Sequence, residues 1–247
     1  LFHFARAEHG VAQELGDQLL SLAQRTQDPA LLLEAHRVLA FVSFWRGDVV
    51  SAREHAEQGV ARYHAQHHRA HALLYGSDPG VVCSYYAADA LWFLGYPDQA
   101  MQRCRNALTL ADDLSHHFSS ASARSAFVVL YQFRRESKAI QEWADATNAF
   151  CTEHEIPFWS AAATTYHGWA LADQGQLSKG LEQMQQGIAA WRSMGIETSV
   201  PFYLSLLAEV YGATGQTEEG LSLLGEAVAL MHKTEERVYE AELYRRS

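Results

Sequence analysis

Four histidines, His64, His67, His68 and His71, crowd the stretch "YHAQHHRAHALLYGSDPG" from Tyr63 to Gly80. Imidazole is a common transition-metal ligand. On a helix His64, one of His67 and His68, and His71 share a face, so His64, His67 and His71 form a candidate set for one metal ion. Against metal, "HAQHHRAHALL" has no Asp, Glu or Cys to complete the ligand set or orient an imidazole, and no His-Glu-x-x-His pattern. Surface or interhelical histidines on a helix stopped by "GSDPG" are the favoured assignment. Eight of the 13 histidines precede residue 72, which would make this end of the chain responsive to pH.

Cys151 and His154, three residues apart, could face each other on a helix, but no third group orients them. A glycine-rich phosphate loop, a Gly-x-Ser-x-Gly elbow and paired carboxylates are absent from the sequence. No catalytic residue and no cofactor are expected.

The elements that would position such groups are mostly helices. Nearly half of the 247 residues are apolar, Gly and Pro number 16 and 5, and 19% are charged, the profile of a globular helical protein. The formal charge of -10 opposes nucleic-acid binding, and lysines occur only at 138, 179 and 233, so no polybasic membrane patch exists. Cys83, Cys104 and Cys151 are odd in number and far apart, which suits reduced, buried thiols. "AFVVLYQF" (Ala126 to Phe133) is too short to span a bilayer and "LFHFARAEHG" lacks a signal peptide's organisation, so a cytoplasmic location is expected.

The strongest pattern is internal repetition. Two small residues five apart recur in "GDVVSA", "GYPDQA", "GQLSKG" and "GQTEEG", with weaker copies at Ala7 to Ala12 and Arg134 to Ala139. The anchors Ala12, Ala52, Ala100, Ala139, Gly180 and Gly220 are separated by 40, 48, 39, 41 and 40 residues. Seven residues after the anchors stand Gly59, Ala107, Ala146, Gly187 and Ala227, with Leu19 as the exception; twelve before stand Ala40, Ala88, Gly168 and Ala208, with Phe127 as the exception. Small residues at fixed offsets let two helices approach closely.

Each unit therefore reads as two antiparallel helices about a short turn, and apolar residues such as Phe202, Leu206, Leu207 and Val210 recur near the 3.6 period. Pro29, Pro79, Pro157 and Pro201 mark the starts of first helices and Pro97 that of a second, because proline is excluded from helix interiors. Thr217, before Glu218 and Glu219, is a candidate N-cap. The predicted units are 1–28, 29–66, 79–115, 118–155, 157–197 and 200–237, with an insertion at 66–78 that carries the histidines and a truncated unit at 238–247.

A helix pair joined by a Gly-containing turn resembles the tetratricopeptide (TPR) pattern, stretched here to about 40 residues. The expected fold is all-α, a TPR-like right-handed superhelical solenoid forming a single domain whose concave face binds partners. The TPR register assigns to that face Glu34, Arg37, Phe41 and Trp45, then Tyr85, Asp89 and Trp92, then Arg124, Val128 and Tyr131, then Thr165 and Trp169, then Ser205 and Glu209. This aromatic and mixed-charge set would suit an extended or helical protein segment. Any of its aromatics could equally serve as core between repeats.

Longer runs carry a closer resemblance: "HRAHALLYGSDPGVVCSYYAADALWFLGYPDQAMQRCRNAL", "GWALADQGQ", "LLAEVYGATGQTEEGLSLLGEAVAL" and "YEAELYR". They are similar to the C-terminal TPR-like region of bacterial proteins that join a class III adenylate/guanylate cyclase to an AAA or STAND-type ATPase. The resemblance implies that "LLYGSDPG" belongs to the scaffold and that both active sites lie upstream of this region. Starting at Leu1 and stopping at "AELYRRS", inside a helix, the chain would be a fragment. The clamp by which chaperone-binding TPR proteins hold a C-terminal carboxylate falls here on Arg37 and Phe41, Tyr85 and Asp89, and Arg124 and Val128, of which only the arginines could serve.

The expected role is thus a non-catalytic interaction or sensor module. Its partner would be a protein or peptide segment or its own upstream domains, with self-association through open solenoid ends. The alternatives are the ligand-sensing solenoid of a STAND-type transcriptional activator and a histidine-cluster metal-binding protein.

Overall fold

The structure, a computed structural model, describes residues 2–246. Among them there is no strand, and fourteen helices follow one another through short turns. They are α1 (Phe2–Ala5), α2 (His9–Thr26), α3 (Pro29–Trp45), α4 (Val49–Arg62), α5 (Ala65–Tyr75), α6 (Pro79–Phe93), α7 (Pro97–Leu114), α8 (His117–Phe133), α9 (Ser137–Glu153), α10 (Pro157–Asp173), α11 (Leu177–Ser193), α12 (Val200–Ala213), α13 (Thr217–Thr234) and α14 (Glu240–Arg246). The helices gather into two compact units, His9–Leu130 and Leu1–Glu8 with Tyr131–Ser247.

Local chemistry sets the helix starts. Pro29, Pro79, Pro97 and Pro157 are the first residues of their helices and Pro201 the second in α12, where a missing N–H costs nothing. Asp28 accepts from the N–H groups of Ala30 and Leu31 through Oδ1, Asp48 from that of Ser51, and Asp78 from that of Val81. In α13 the N-cap position falls on Gln216, one residue before the expected Thr217, which is the first helical residue.

The repeat is more regular than the spacing of small residues suggests. Gly47, Gly95, Arg135, Gly175 and Gly215 all have positive φ and stand at the turn between paired helices. The residues five further on are Ala52, Ala100, Ile140, Gly180 and Gly220, and each donates its N–H four residues back to the residue that precedes its helix. The fourth anchor is therefore Ile140 and not Ala139, and the steps after Ala52 become 48, 40, 40 and 40. The positive-φ residues that end the second helices, Ser115, Glu155, Gly195 and Glu235, are likewise 40 apart. The sequence hid this because the fourth unit carries Arg135 where its siblings carry glycine.

The small residues mark contacts inside each helix pair. A Cβ on Gly180 would lie 2.6 Å from the Gly168 carbonyl oxygen, and one on Gly220 3.1 Å from that of Ala208. A Cβ on Gly187 would collide with Thr165 Oγ1 and lie 2.8 Å from the Ala161 carbonyl oxygen. Thus α10 and α11 cross at backbone contact, which larger side chains would prevent.

The eight-residue excess forms the extra helix α5, which ends at Gly76 in the left-handed region (φ 76°). The core of His9–Leu130 includes Leu33, Leu39, Phe44 and Leu91, and a cluster of Val81, Ala107, Ala111, Leu114 and Ala123. In the other unit Ile140, Trp169, Leu171, Met184, Leu206 and Met231 are buried, and Phe202 stacks on Tyr239 with centroids 4.0 Å apart.

Candidate protein-interaction site

In His9–Leu130, much of the expected binding face is packed interior. Phe41 and Trp45 of α3 are buried against α6: the Phe41 ring lies 6.0 Å from that of Tyr86, and the Trp45 indole N–H reaches the Tyr86 hydroxyl at 3.3 Å. Tyr85 is buried and its ring sits 5.1 Å from that of Tyr86. Asp89 is only 2% exposed, and its Oδ1 has no hydrogen-bond partner. Burial alone raises its carboxyl well above the ordinary range, which favours the protonated form over the carboxylate. Trp92 is half-buried, and Arg124 reaches across to Asp112 of α7 at 3.2 Å.

Glu34 and Arg37 form a buried ion pair on α3, with Arg37 Nε donating to Glu34 Oε2 at 2.6 Å. The other carboxylate oxygen accepts from His71 Nδ1 at 2.7 Å, and the guanidinium lies 5.8 Å from the Tyr75 ring centroid. The inserted helix α5 therefore covers Glu34 and Arg37.

The four histidines are neighbours, with ring centroids of adjacent pairs 5.2 to 6.4 Å apart, but they do not aim at one metal position. His64 and His67 are exposed with rings 6.4 Å apart, His68 Nδ1 accepts the His64 backbone N–H at 3.0 Å, and His71 points inward to Glu34. Among the described residues no group of three or more His, Cys, Asp or Glu could hold a metal ion. Elsewhere His36 and His55 place their Nδ1 atoms 3.0 Å apart, so one donates to the other. Burial first, then the neighbouring His55 and Arg62, push His36 down to about 4. His154 lies past the end of α9 with its ring tilted against that of Phe150, centroids 4.4 Å apart, while Cys151 is buried.

In the unit containing Tyr131–Ser247, Thr165, Ser205 and Trp169 are also covered. Thr165 sits beneath Gly187, and its hydroxyl bonds back to the Ala161 carbonyl at 3.0 Å; Ser205 does the same to Phe202 at 2.8 Å. Thr165 faces the paired helix because Gly187 lets that helix press against it, whereas Ser205 Oγ also accepts from Arg246 Nη1 of α14 at 3.3 Å. Tyr131 and Glu209 are half-buried.

Glu209 anchors the open part of this unit. It pairs with Arg135, whose guanidinium lies 5.1 Å from the Trp169 ring centroid. Arg246 Nη2 lies 3.3 Å from Glu209 Oε2, close enough for an ion pair without the alignment of a hydrogen bond, and Arg246 also bonds Glu242 at 2.7 Å. Hydrogen bonding to Arg245, opposed by some desolvation and aided by Arg246, brings Glu242 down to about 2. An open cleft of about 700 Å³ here is lined by Arg135, Glu209, Leu221, Leu224, Arg245 and Arg246. The sequence reading missed Arg135 and Arg246; the 40-residue register, applied to the fourth turn, would have placed Arg135 at the glycine position.

No protein-family model matches the chain. An uncharacterized protein of Rhizobium meliloti (strain 1021) is 21% identical over 229 residues, which cover 92% of this chain and 22% of that protein. The chain thus spans about a fifth of the length of the curated relative it matches. Among solved structures, BtubC (BKLC) from P. vanneervenii superposes with a TM-score of 0.57 at 13% identity, covering 92% of this chain and 90% of that one. A Rap protein complexed with Competence and Sporulation Factor gives 0.55 at 15% identity, over 97% and 71%. Kinesin light chain TPR-like repeats from Podospora anserina give 0.51 at 21% identity, over 83% and 97%. With this helix pairing, they show the fold: the chain is an all-helical TPR-like repeat protein. No described helix is long and apolar enough to cross a membrane.

Proposed function

We propose that the chain is a non-catalytic module that binds a segment of another protein, and that it serves as a regulatory region of a larger cyclase/ATPase signalling protein. The observation that carries the binding role is the row Arg135–Glu209–Arg246 beside an open cleft, where arginines, one of them seated on the buried Trp169 ring, accompany exposed Leu221. Arginine is among the residues enriched at the energetic centres of protein interfaces. The Rap neighbour in complex with Competence and Sporulation Factor supports a binding role for this kind of scaffold.

The regulatory role rests on the motif resemblance and on the relative's much greater length. A peptide segment of a partner, or of an ATPase or cyclase domain in the same polypeptide, is the expected occupant; nucleic acid and membrane are not.

The test is the mass of the native gene product, by immunoblot with an antibody raised against this chain, together with its reading frame. A product several times heavier than 27.6 kDa that carries a cyclase domain is the expected result. A product near 27.6 kDa, or a DNA-binding domain in place of the cyclase, overturns the cyclase role. For the binding role, Arg135→Glu should abolish cross-links formed from a photoreactive group at position 221, and their persistence overturns it.

A further inference from the structure

We infer that His116 is a proton-operated latch on the inserted helix: as a neutral imidazole it clamps the two ends of α5 to the start of α8, and its protonation releases them. The latch is independent of the binding role proposed above.

A chain of hydrogen bonds forms it. The Tyr63 hydroxyl, just before α5, donates to Asp78 Oδ2 at 2.9 Å, and Asp78, just after α5, caps α6 through Oδ1. A Cβ on Gly80 would lie 2.7 Å from the Tyr63 ring, so that ring rests on the first turn of α6. The Asp78 backbone N–H donates to Ser119 Oγ at 2.9 Å, and Ser119 Oγ lies 2.9 Å from His116 Nδ1. Ser119 is fully buried, so this Asp–Ser–His trio is closed to a substrate and works as a joint between the turn and α8.

The joint needs one form of the imidazole. The Ser119 backbone N–H meets His116 Nδ1 at 3.3 Å, and an amide N–H can only donate, so Nδ1 carries a lone pair and the ring proton sits on Nε2. Ser119 Oγ accepts from Asp78 and sends its own hydrogen to the same Nδ1. A proton on Nδ1 turns that acceptor into a donor and strands the Ser119 N–H and O–H in a buried site, which is costly.

Solvent reaches the ring. His116 is half-buried and lines a crevice of about 210 Å³ with Ala72 and Leu73 of α5, Leu114 of α7 and Ser115. Those neighbours are uncharged; the titratable groups acting on it are Asp78 in the turn and His117 on its own helix. Burial holds the imidazole below its ordinary range, opposed by Asp78 and aided by His117. A depressed imidazole contributes stability that is present at neutral pH and lost as pH falls through the folded value. His71 acts in the opposite sense, since a proton strengthens its bond to Glu34, so release begins at the ends of α5.

The test is hydrogen exchange of the purified chain at about pH 7.5 and about pH 5, corrected for the intrinsic rates. Protection of residues 76–80 is expected to fall by about tenfold or more at the lower pH while α7 keeps its own. His116→Asn retains an acceptor that does not titrate and should abolish the change. Ser119→Ala should leave residues 76–80 open at both pH values, which tests the joint even where the asparagine variant fails to fold. Protection in the parent that ignores pH, an equal loss in α7, or full protection in Ser119→Ala overturns the inference. So does a response that survives His116→Asn: it would belong to Asp78, whose carboxyl is raised by burial, or to His68.

Discussion

His71 and Glu34 lie 2.7 Å apart, and through this contact the inserted helix is tied to a carboxylate that also holds Arg37. All three side chains are buried, so removing one leaves another without its partner in a low-dielectric setting. Glu34→Gln should destabilise the chain by roughly 3–5 kcal/mol, the range for breaking a buried ion pair. His71→Ala should cost less, about 1–3 kcal/mol for the lost charged hydrogen bond, and should free α5 selectively. Urea unfolding measures the first effect, and hydrogen exchange at residues 65–75 against α6 the second. Equal exchange in the two helices of the variant would contradict the anchoring role.

The glycines of α11 give a sharper contrast. Gly180→Ala sets a methyl 2.6 Å from a backbone oxygen that cannot rotate away, so the helices must separate, at about 1–3 kcal/mol or more. Gly225 in α13 has nothing within 4 Å of its added Cβ and an ordinary helical φ. Gly225→Ala should stabilise by about 0.5–1 kcal/mol through helix propensity alone. Thermal melts of both variants check the opposite signs.

Asp89 predicts a pH dependence. Because burial raises its carboxyl in the folded chain, the folded state binds its proton more tightly than the unfolded state does. That contribution to stability is complete below the unfolded carboxylate range and is lost as pH rises through the folded value. Asp89→Asn should therefore flatten the fall in stability between mildly acidic and alkaline pH, with its gain over the parent growing as pH rises. Parallel profiles for parent and variant would rule Asp89 out as the source.

The thiols should behave as core. Burial pushes Cys83 up to about 12 and Cys104 well above its ordinary value, and all three cysteines are inaccessible. A disulfide reagent should label none of them in the native chain faster than it unfolds. Rapid labelling of one thiol at neutral pH would show an opening absent from this packing.

The architecture was legible because helix pairing leaves periodic marks. Proline at helix starts, glycine at left-handed turns and small residues at backbone crossings are each demanded by a local or nearest-neighbour constraint, and these recur every 40 residues. Where another residue met the same demand the reading slipped, as at Arg135, which takes a positive φ and shifted the fourth anchor by one.

The binding face was less legible. Register places a residue on a side of its helix but does not say how closely the next helix approaches that side. Thr165 and Ser205 share the register position of Arg37 and Tyr85, and Gly187 shows why Thr165 is covered: its missing side chain brings α11 onto α10.

The sequence by itself determined the element type, the order of the helices and the period of the repeat, since these follow from interactions within a few dozen residues. Only the tertiary structure decided which aromatics are interior, that His71 is spent on Glu34, that α5 closes over Glu34 and Arg37, and that Arg135 meets Glu209. The last contact joins residues 74 apart in the chain. Such pairings depend on distances between helices that no local pattern encodes.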